Sequence, residues 1–390
     1  MFSLLWPLDP DVRFLNHGSF GACPRSVLEA QAAIVAKMET NPVRFFSRDL
    51  EPLLDHARAR LAAFVAASPE DLAFVPNATH GVATVLRSLP FRPGDELVIT
   101  NHGYPAVRNA AHFVAAQTGA RVEVAEVPFP IGDPAQVVEA IAAALTARTR
   151  LLIVDHVTSP TALVLPVREI CELASAKGIE VLVDGAHALG MLDLDVPATG
   201  ATYYTANAHK WLCAPKGSAF LWVRSDKQDR IRPLATSHGA TSPRPRPRLW
   251  LELDWTGTFD PSAWLAVPAA IDVLGAMVPG GWPDLRARNR ALALDARAKL
   301  ADALGQPPAA PESMIGSMVS VSLPNGDGRT SDAGLDPLAD ILAGRHRIEV
   351  PVFPWPKQPS RVLRAALQLY NSEEDVLALI DALKHERALR

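Results

Sequence analysis

Residues 202–217 read TYYTANAHKWLCAPKG. The run opens with β-branched and aromatic residues, turns polar at Asn207, presents His209 and Lys210, and closes on a proline–glycine turn. A short strand followed by a loop fits this order. Working outward, VLVDGAHALG (181–190) is another apolar run, ending at Asp184 and followed at once by Gly185. Upstream come LAFV (72–75), ELVIT (96–100), RVEVAEV (121–127) and RLLIVD (150–155); downstream comes SAFLWV (218–223). Helix-like segments separate most of these runs, for example 134–147 and 166–177. Several runs are continuously apolar and rich in Val, Leu and Ile. Strands covered on both faces have that texture, so the pattern predicts an α/β domain with a mostly parallel sheet.

The flanks carry helices. PRSVLEAQAAIVAKMET (24–40) has proline in its first turn, and LEPLLDHARARLAAFV (50–65) spaces its leucines at helical intervals. After residue 225 the texture changes. SPRPRPR (242–248) alternates proline with arginine and predicts an extended, solvated loop, read either as a plain surface loop or as a basic docking strip. From about 265 a helix (263–277), a charged helix (284–304), a strand (MVSVSL, 318–323), a glycine-rich turn (325–334) and a last helix (372–389) predict a smaller α+β domain. The expected division is a large domain over 16–264, with 1–15 and 265–390 forming the small one.

The chain has 390 residues, 48% hydrophobic and 21% charged, enough to bury a large core and build a water-excluding cleft. Its net charge of -4 gives no electrostatic case for nucleic acid or an anionic membrane. Cys23, Cys171 and Cys213 lie far apart, in no metal-ligand or disulfide spacing. The N-terminus lacks a basic leader, and no apolar run reaches the roughly 20 residues that span a bilayer. A cytoplasmic protein is expected.

In open α/β sheets, ligands collect outside the carboxyl ends of strands. Asp184 and Lys210 both follow such ends. A carboxylate can keep a pyridine nitrogen protonated, and a desolvated lysine can form an imine. Together they suit a pyridoxal cofactor. Separately, Asp184 could merely cap a turn and Lys210 could be surface charge. At PNATHGVATVLRSL (76–89) a strand gives way to Thr79 and a helix, whose free N–H groups and dipole favour a phosphate. The plainer reading of Thr79 is an N-cap. His102 follows another strand and could stack on an aromatic ring or simply serve its loop. Arg361 or Arg364, in RVLRAALQLYN (361–371), could hold a carboxylate with its forked guanidinium.

With these residues in hand, the chain resembles the class V aminotransferase family and, within it, the isopenicillin N epimerase-like group. The similarity runs through FLNHGSFGACP (14–24), NPVRFFSRDL (41–50), FVPNATHGVATV (74–85), VDGAHALG (183–190), ANAHKW (206–211), WTGTFD (255–260) and RAALQLYN (364–371). It implies a fold type I architecture: a large domain with a seven-stranded, mostly parallel sheet plus a small domain, in a homodimer with shared sites. The cofactor would be pyridoxal 5'-phosphate. Lys210 would be the Schiff-base lysine and proton carrier, Asp184 would pair with the ring nitrogen, His187 would sit near the ring hydroxyl, and His102 would stack on the ring. Ala78, Thr79, Asn207 and His209 would hold the phosphate, joined by Thr256, Gly257 and Thr258 of a neighbouring subunit. Arg364 fits the carboxylate-binding arginine better than Arg361, since Tyr370 and Asn371 follow it at the familiar spacing. Asn16 and His17 lie in a segment that approaches the substrate.

The implied reaction starts with loss of the Cα proton of an amino acid. Epimerases return that proton, with His102 or a nearby water as candidate second donor; β-lyases expel a β-substituent. Transamination remains an alternative, and so does cysteine desulfuration, though 225–390 lacks the cysteine it would need. An idle cofactor-binding scaffold is the reading from a different class.

Overall fold

The structure is a computed structural model describing residues 2–332 and 334–388. Ala333 of the expected turn and Leu389 at the end of the expected last helix lie outside the described residues. Seven strands form the main sheet, in the order Leu72–Val75, Ala219–Val223, Tyr203–Asn207, Glu180–Asp184, Thr149–Asp155, Glu96–Thr100 and Arg121–Ala125. Ala219–Val223 pairs antiparallel with both neighbours, and the remaining pairings are parallel. Six strands therefore run one way, and their carboxyl ends share one edge. These are the seven runs read from the sequence, with ends moved by at most two residues. Six of the seven strands are buried almost throughout, which explains their unbroken apolar runs. The exception is the edge strand Arg121–Ala125, mostly exposed, whose RVEVA alternates accordingly.

Helices cover both faces. The Ala78–Ser88 and Pro105–Thr118 helices pack on one side with Val82, Val85, Val107 and Ala111. The other side carries Leu50–Phe64, Ala135–Ala144 and Val167–Ala176 in the largest core cluster, through Leu54, Ile141 and Ile170. Burying each such aliphatic side chain contributes about 1.5–3 kcal/mol against solvent exposure.

The second half adds a three-stranded antiparallel sheet in the order Val352–Pro354, Arg361–Ala366, Met318–Leu323. The Gly281–Leu304 and Glu373–His385 helices accompany it, the latter opened by a capping box between Ser372 and Asp375. Arg361–Ala366 was not anticipated as a strand. The expected helix over 263–277 is two pieces, Ser262–Leu265 and Val267–Ala276. Pro268 explains the break, because it lacks the N–H that would continue the helical hydrogen bonding and sits in the first turn of the second piece. The arginine–proline loop is a surface loop held by ion pairs: Arg244 to Glu51 at 2.5 Å and Arg246 to Asp55 at 2.6 Å. Among the described residues no single helix is long and apolar enough to cross a membrane.

Candidate active site

A cavity of about 270 Å³ opens at the shared carboxyl edge of the main sheet. Its wall includes Ala78, Thr79, Asp184, His187, Asn207, His209 and Lys210, all singled out from the sequence. It also includes Ser19, Tyr104, Asp155 and Ser159, which the sequence reading did not assign.

One end is built for an anion. Asn77 caps the Ala78–Ser88 helix by accepting the His80 N–H at 2.9 Å. Asn207, at the end of its strand, accepts the Ala78 N–H at 2.8 Å. Ala78 thus spends its donor on Asn207, whose remaining polar atom is the Nδ2 donor. Thr79 contributes an N–H without an intrahelical partner and a hydroxyl. His209 donates from Nδ1 to the Ser218 carbonyl at 3.1 Å, and burial lowers its pKa to about 4. Donors and a helix N-terminus converge here, as a phosphate requires.

The middle holds two carboxylates side by side. Asp155 and Asp184 end adjacent parallel strands and are register partners. Both are buried. Asp184 accepts the Ala186 N–H at 2.9 Å. Burial pushes the Asp184 pKa up. Asp155 is pushed well above the usual carboxylate range by burial and then by the Asp184 charge. Of the two, Asp155 is driven further toward the neutral form.

Lys210 stands opposite. Its pKa falls to about 7, first through burial and then through the Arg364 charge, with Asp184 and Asp155 opposing. The ammonium is thus half neutral near pH 7, as imine formation needs. His187 Nε2 lies 3.2 Å from Lys210 Nζ, and Trp211 Nε1 lies 3.3 Å from His187 Nδ1. Indole can only donate, so His187 Nδ1 accepts and Nε2 carries the proton toward the lysine. Burial, then the Lys210 charge, keeps His187 neutral.

Arg364 is buried immediately behind the Ser19–Ser159 wall. It donates to the Ser159 carbonyl at 2.7 Å and the Ser19 hydroxyl at 3.0 Å, and more distantly to Asn16 at 3.4 Å. These acceptors are neutral, and Nε has no partner. Burial lowers its pKa to about 10. A buried cation without a counter-ion among the described residues is costly, and an anion that reached it would offset that cost. Arg361, by contrast, is paired with Asp336 at 2.8 Å.

Six further expected residues lie off the cavity wall. His102 is buried outside the cavity wall, with Nε2 3.0 Å from the Val127 carbonyl and Nδ1 2.6 Å from Thr161. Its pKa is lowered to about 4 by burial. The ring is neutral and committed at both nitrogens, and Tyr104 occupies the wall instead. His17 and Asn16 do not line the cavity; His17 contacts the Lys210 carbonyl, and Asn16 the Arg364 group. Thr256, Gly257 and Thr258 sit on a partly exposed loop away from this cavity.

Pyridoxal phosphate fits these groups. Thr79, Asn207 and the helix start suit its phosphate, the Asp184 carboxylate its ring nitrogen, and the half-neutral Lys210 its aldehyde.

Residues 16–379 match the family described as aminotransferase class-V. The chain is 39% identical to an isopenicillin N epimerase of Amycolatopsis lactamdurans, over 97% of this chain and 96% of that protein. It is 30% identical to a probable chloroplastic L-cysteine desulfhydrase of Arabidopsis thaliana, over 96% of this chain and 83% of that protein. A solved C-DES mutant with glycine covalently linked to the PLP cofactor shares the fold at TM-score 0.80 and 23% identity, covering 97% of this chain and 98% of that one. With fold, cavity and near full-length similarity in agreement, the chain belongs to the class V aminotransferase family.

Proposed function

We propose that this protein is a pyridoxal phosphate enzyme that removes the Cα proton of an amino acid and then either returns it, as an epimerase, or loses a β-substituent, as a C–S lyase. The observation that carries the reading is the placement of Lys210 and Asp184 in one cavity, with the buried Arg364 just behind its wall.

Pyridoxal phosphate, when bound, supplies an electron sink for charge developing at Cα. The protein's residues do the rest. Asp184 holds the ring nitrogen protonated, and Asp155, as the neutral partner, adds no second charge. Thr79, Asn207 and the start of the Ala78–Ser88 helix hold the phosphate, with His209 beside them and its one proton committed to the Ser218 carbonyl. Arg364 takes the substrate carboxylate as Ser19 and Ser159 yield their neutral contacts, which fixes the amino acid along the cavity. Lys210 moves the Cα proton as base and acid, and a pKa near 7 suits both roles. His187 orients Nζ through its Nε2 proton.

Epimerisation is supported by the isopenicillin N epimerase of Amycolatopsis lactamdurans, and elimination by the desulfhydrase of Arabidopsis thaliana. Desulfuration is disfavoured, because Cys23, Cys171 and Cys213 are all buried and none lines the cavity. A homodimer, with Thr256, Gly257 and Thr258 completing the neighbour's phosphate site, and a cytoplasmic location belong to the same proposal.

The test is incubation with a panel of amino acids in heavy water. Deuterium at Cα in both enantiomers without keto acid identifies an epimerase; pyruvate and ammonia from a cysteine-derived substrate identify a lyase. Absence of Cα exchange with every amino acid, in protein loaded with cofactor, refutes the proposal.

A further inference from the structure

His17 is fully buried and outside the cavity wall, yet it reaches the central lysine from behind. Its Nε2 lies 2.9 Å from the Lys210 carbonyl. That oxygen can only accept, so Nε2 carries the proton. The neutral ring then accepts at Nδ1, where the Tyr370 hydroxyl donates at 2.7 Å. Burial keeps the ring neutral, with a pKa lowered to about 3. Tyr370 is itself braced by Trp6, edge-on at 5.2 Å between ring centroids.

The Lys210 carbonyl also receives the Cys213 N–H at 2.9 Å, closing a tight turn in which Cys213 has φ of 59°. Two donors from different directions therefore fix the peptide that bears the lysine. The same segment touches Arg364, since Asn16 and Ser19 are among its acceptors. Packing leaves this segment little freedom. A Cβ on Gly21 would stand 2.0 Å from the His209 carbonyl oxygen, and one on Gly18 would meet the Met318 sulfur at 2.6 Å.

We propose that His17 and Tyr370 form a strut that sets where Lys210 stands relative to Arg364, which makes both of them positioning residues rather than substrate ligands. This rests on the reading of Lys210 as the cofactor-bearing base. Removing the strut leaves Arg364 and its serines intact. Turnover then falls while the hold on the substrate carboxylate persists.

The experiment compares wild type, His17→Leu, His17→Gln and Tyr370→Phe, each loaded with pyridoxal phosphate. The readouts are kcat, KM for an amino acid, and the pH midpoint of the visible band of the lysine-bound cofactor. His17→Leu should lose on the order of 10- to 100-fold in kcat, as small misplacements of reacting groups do. Its KM should stay within about twofold, because uniform binding is untouched. The band midpoint should move. His17→Gln, which keeps an N–H able to reach the carbonyl, should recover most of kcat and the wild-type midpoint. Tyr370→Phe removes the donor to His17 Nδ1 while leaving the Nε2 contact, so it should fall between; it carries the test if His17→Leu does not fold.

A rise in KM with unchanged kcat would overturn the proposal by making His17 a substrate ligand. So would midpoints that superimpose on wild type, or a glutamine variant no better than leucine. A wild-type protein that forms no visible band with Lys210 would instead overturn the reading of the lysine itself.

Discussion

Replacing Arg364 with lysine tests the carboxylate site on both affinity and pH. The guanidinium presents two parallel donors to a carboxylate, whereas an ammonium presents a point charge. Losing one charge-assisted hydrogen bond costs about 1.5–3 kcal/mol, or roughly a 10- to 100-fold rise in KM. The site adds a second effect. Burial lowers the Arg364 pKa from its ordinary value to about 10. The same burial acts on a lysine whose ordinary pKa, about 10.4, starts below that of arginine. The variant therefore loses its charge at a lower pH than the wild-type cation. The ratio of variant to wild-type KM should be flat while both are charged and climb by up to tenfold per pH unit once only the variant is neutral. Taking the ratio cancels titration of the substrate amine. Competitive inhibition by the matching carboxylic acid without the amine gives a binding constant free of chemistry and should show the same climb. A ratio of one, or a raised ratio that stays flat to pH 9.5, would refute the assignment of Arg364 to the substrate carboxylate.

Asp184→Asn should lower kcat/KM on the order of 10- to 100-fold, since an amide cannot hold a ring nitrogen protonated, while Asp155→Asn replaces an already neutral group and should stay within about threefold. Thermal unfolding should place both variants within a few degrees of wild type; equal losses of activity in the two would show that the proton is not held by Asp155. A Cys23→Ser, Cys171→Ser, Cys213→Ser variant should lower Tm, because each hydroxyl is buried, yet turn over when folded and loaded with cofactor. Burial pushes the Cys23 and Cys171 thiols up to about 12 and Cys213 higher still, so none is a ready nucleophile. Loss of activity in the folded, loaded triple variant would promote the desulfurase reading.

The main sheet was legible because its strands are buried on both faces. Double burial forces unbroken apolar runs, and such runs stand out against amphipathic helices without any knowledge of pairing. The second half offered no such contrast. Arg361–Ala366 reads RVLRAA, with an arginine at each end of its apolar centre. Arg361 and Arg364 pair with Leu323 and Ser320 across the antiparallel ladder. Two arginines in six residues disguise a central strand, because the buried Arg364 spends its guanidinium on Ser159 and Ser19 rather than on an apolar core. A buried polar contact here overrides the pattern from which structure is read.

The same logic separates the cavity-lining residues that the sequence singled out from those that it did not. Asp184, Asn207 and Lys210 sit at or just after strand ends, and parallel strands bring such positions to one edge whatever else the chain does. Asp155 carried the same signal, as the last residue of RLLIVD, and could have been read the same way. Ser19, Ser159 and Tyr104 carried none. Their contacts depend on the path a turn takes after the strand, which side-chain periodicity does not encode. His102 and Tyr104 make the point within three residues. Both follow the strand that ends at Thr100, yet the turn sends His102 inward to Val127 and Thr161 and leaves Tyr104 on the cavity wall. His17 differs again. Its value lies in contacts made at both ring nitrogens, with Lys210 193 residues away and Tyr370 353 residues away. Strand ends announce where chemistry collects, but the groups that aim the chemistry act through side-chain contacts that only the folded chain assembles.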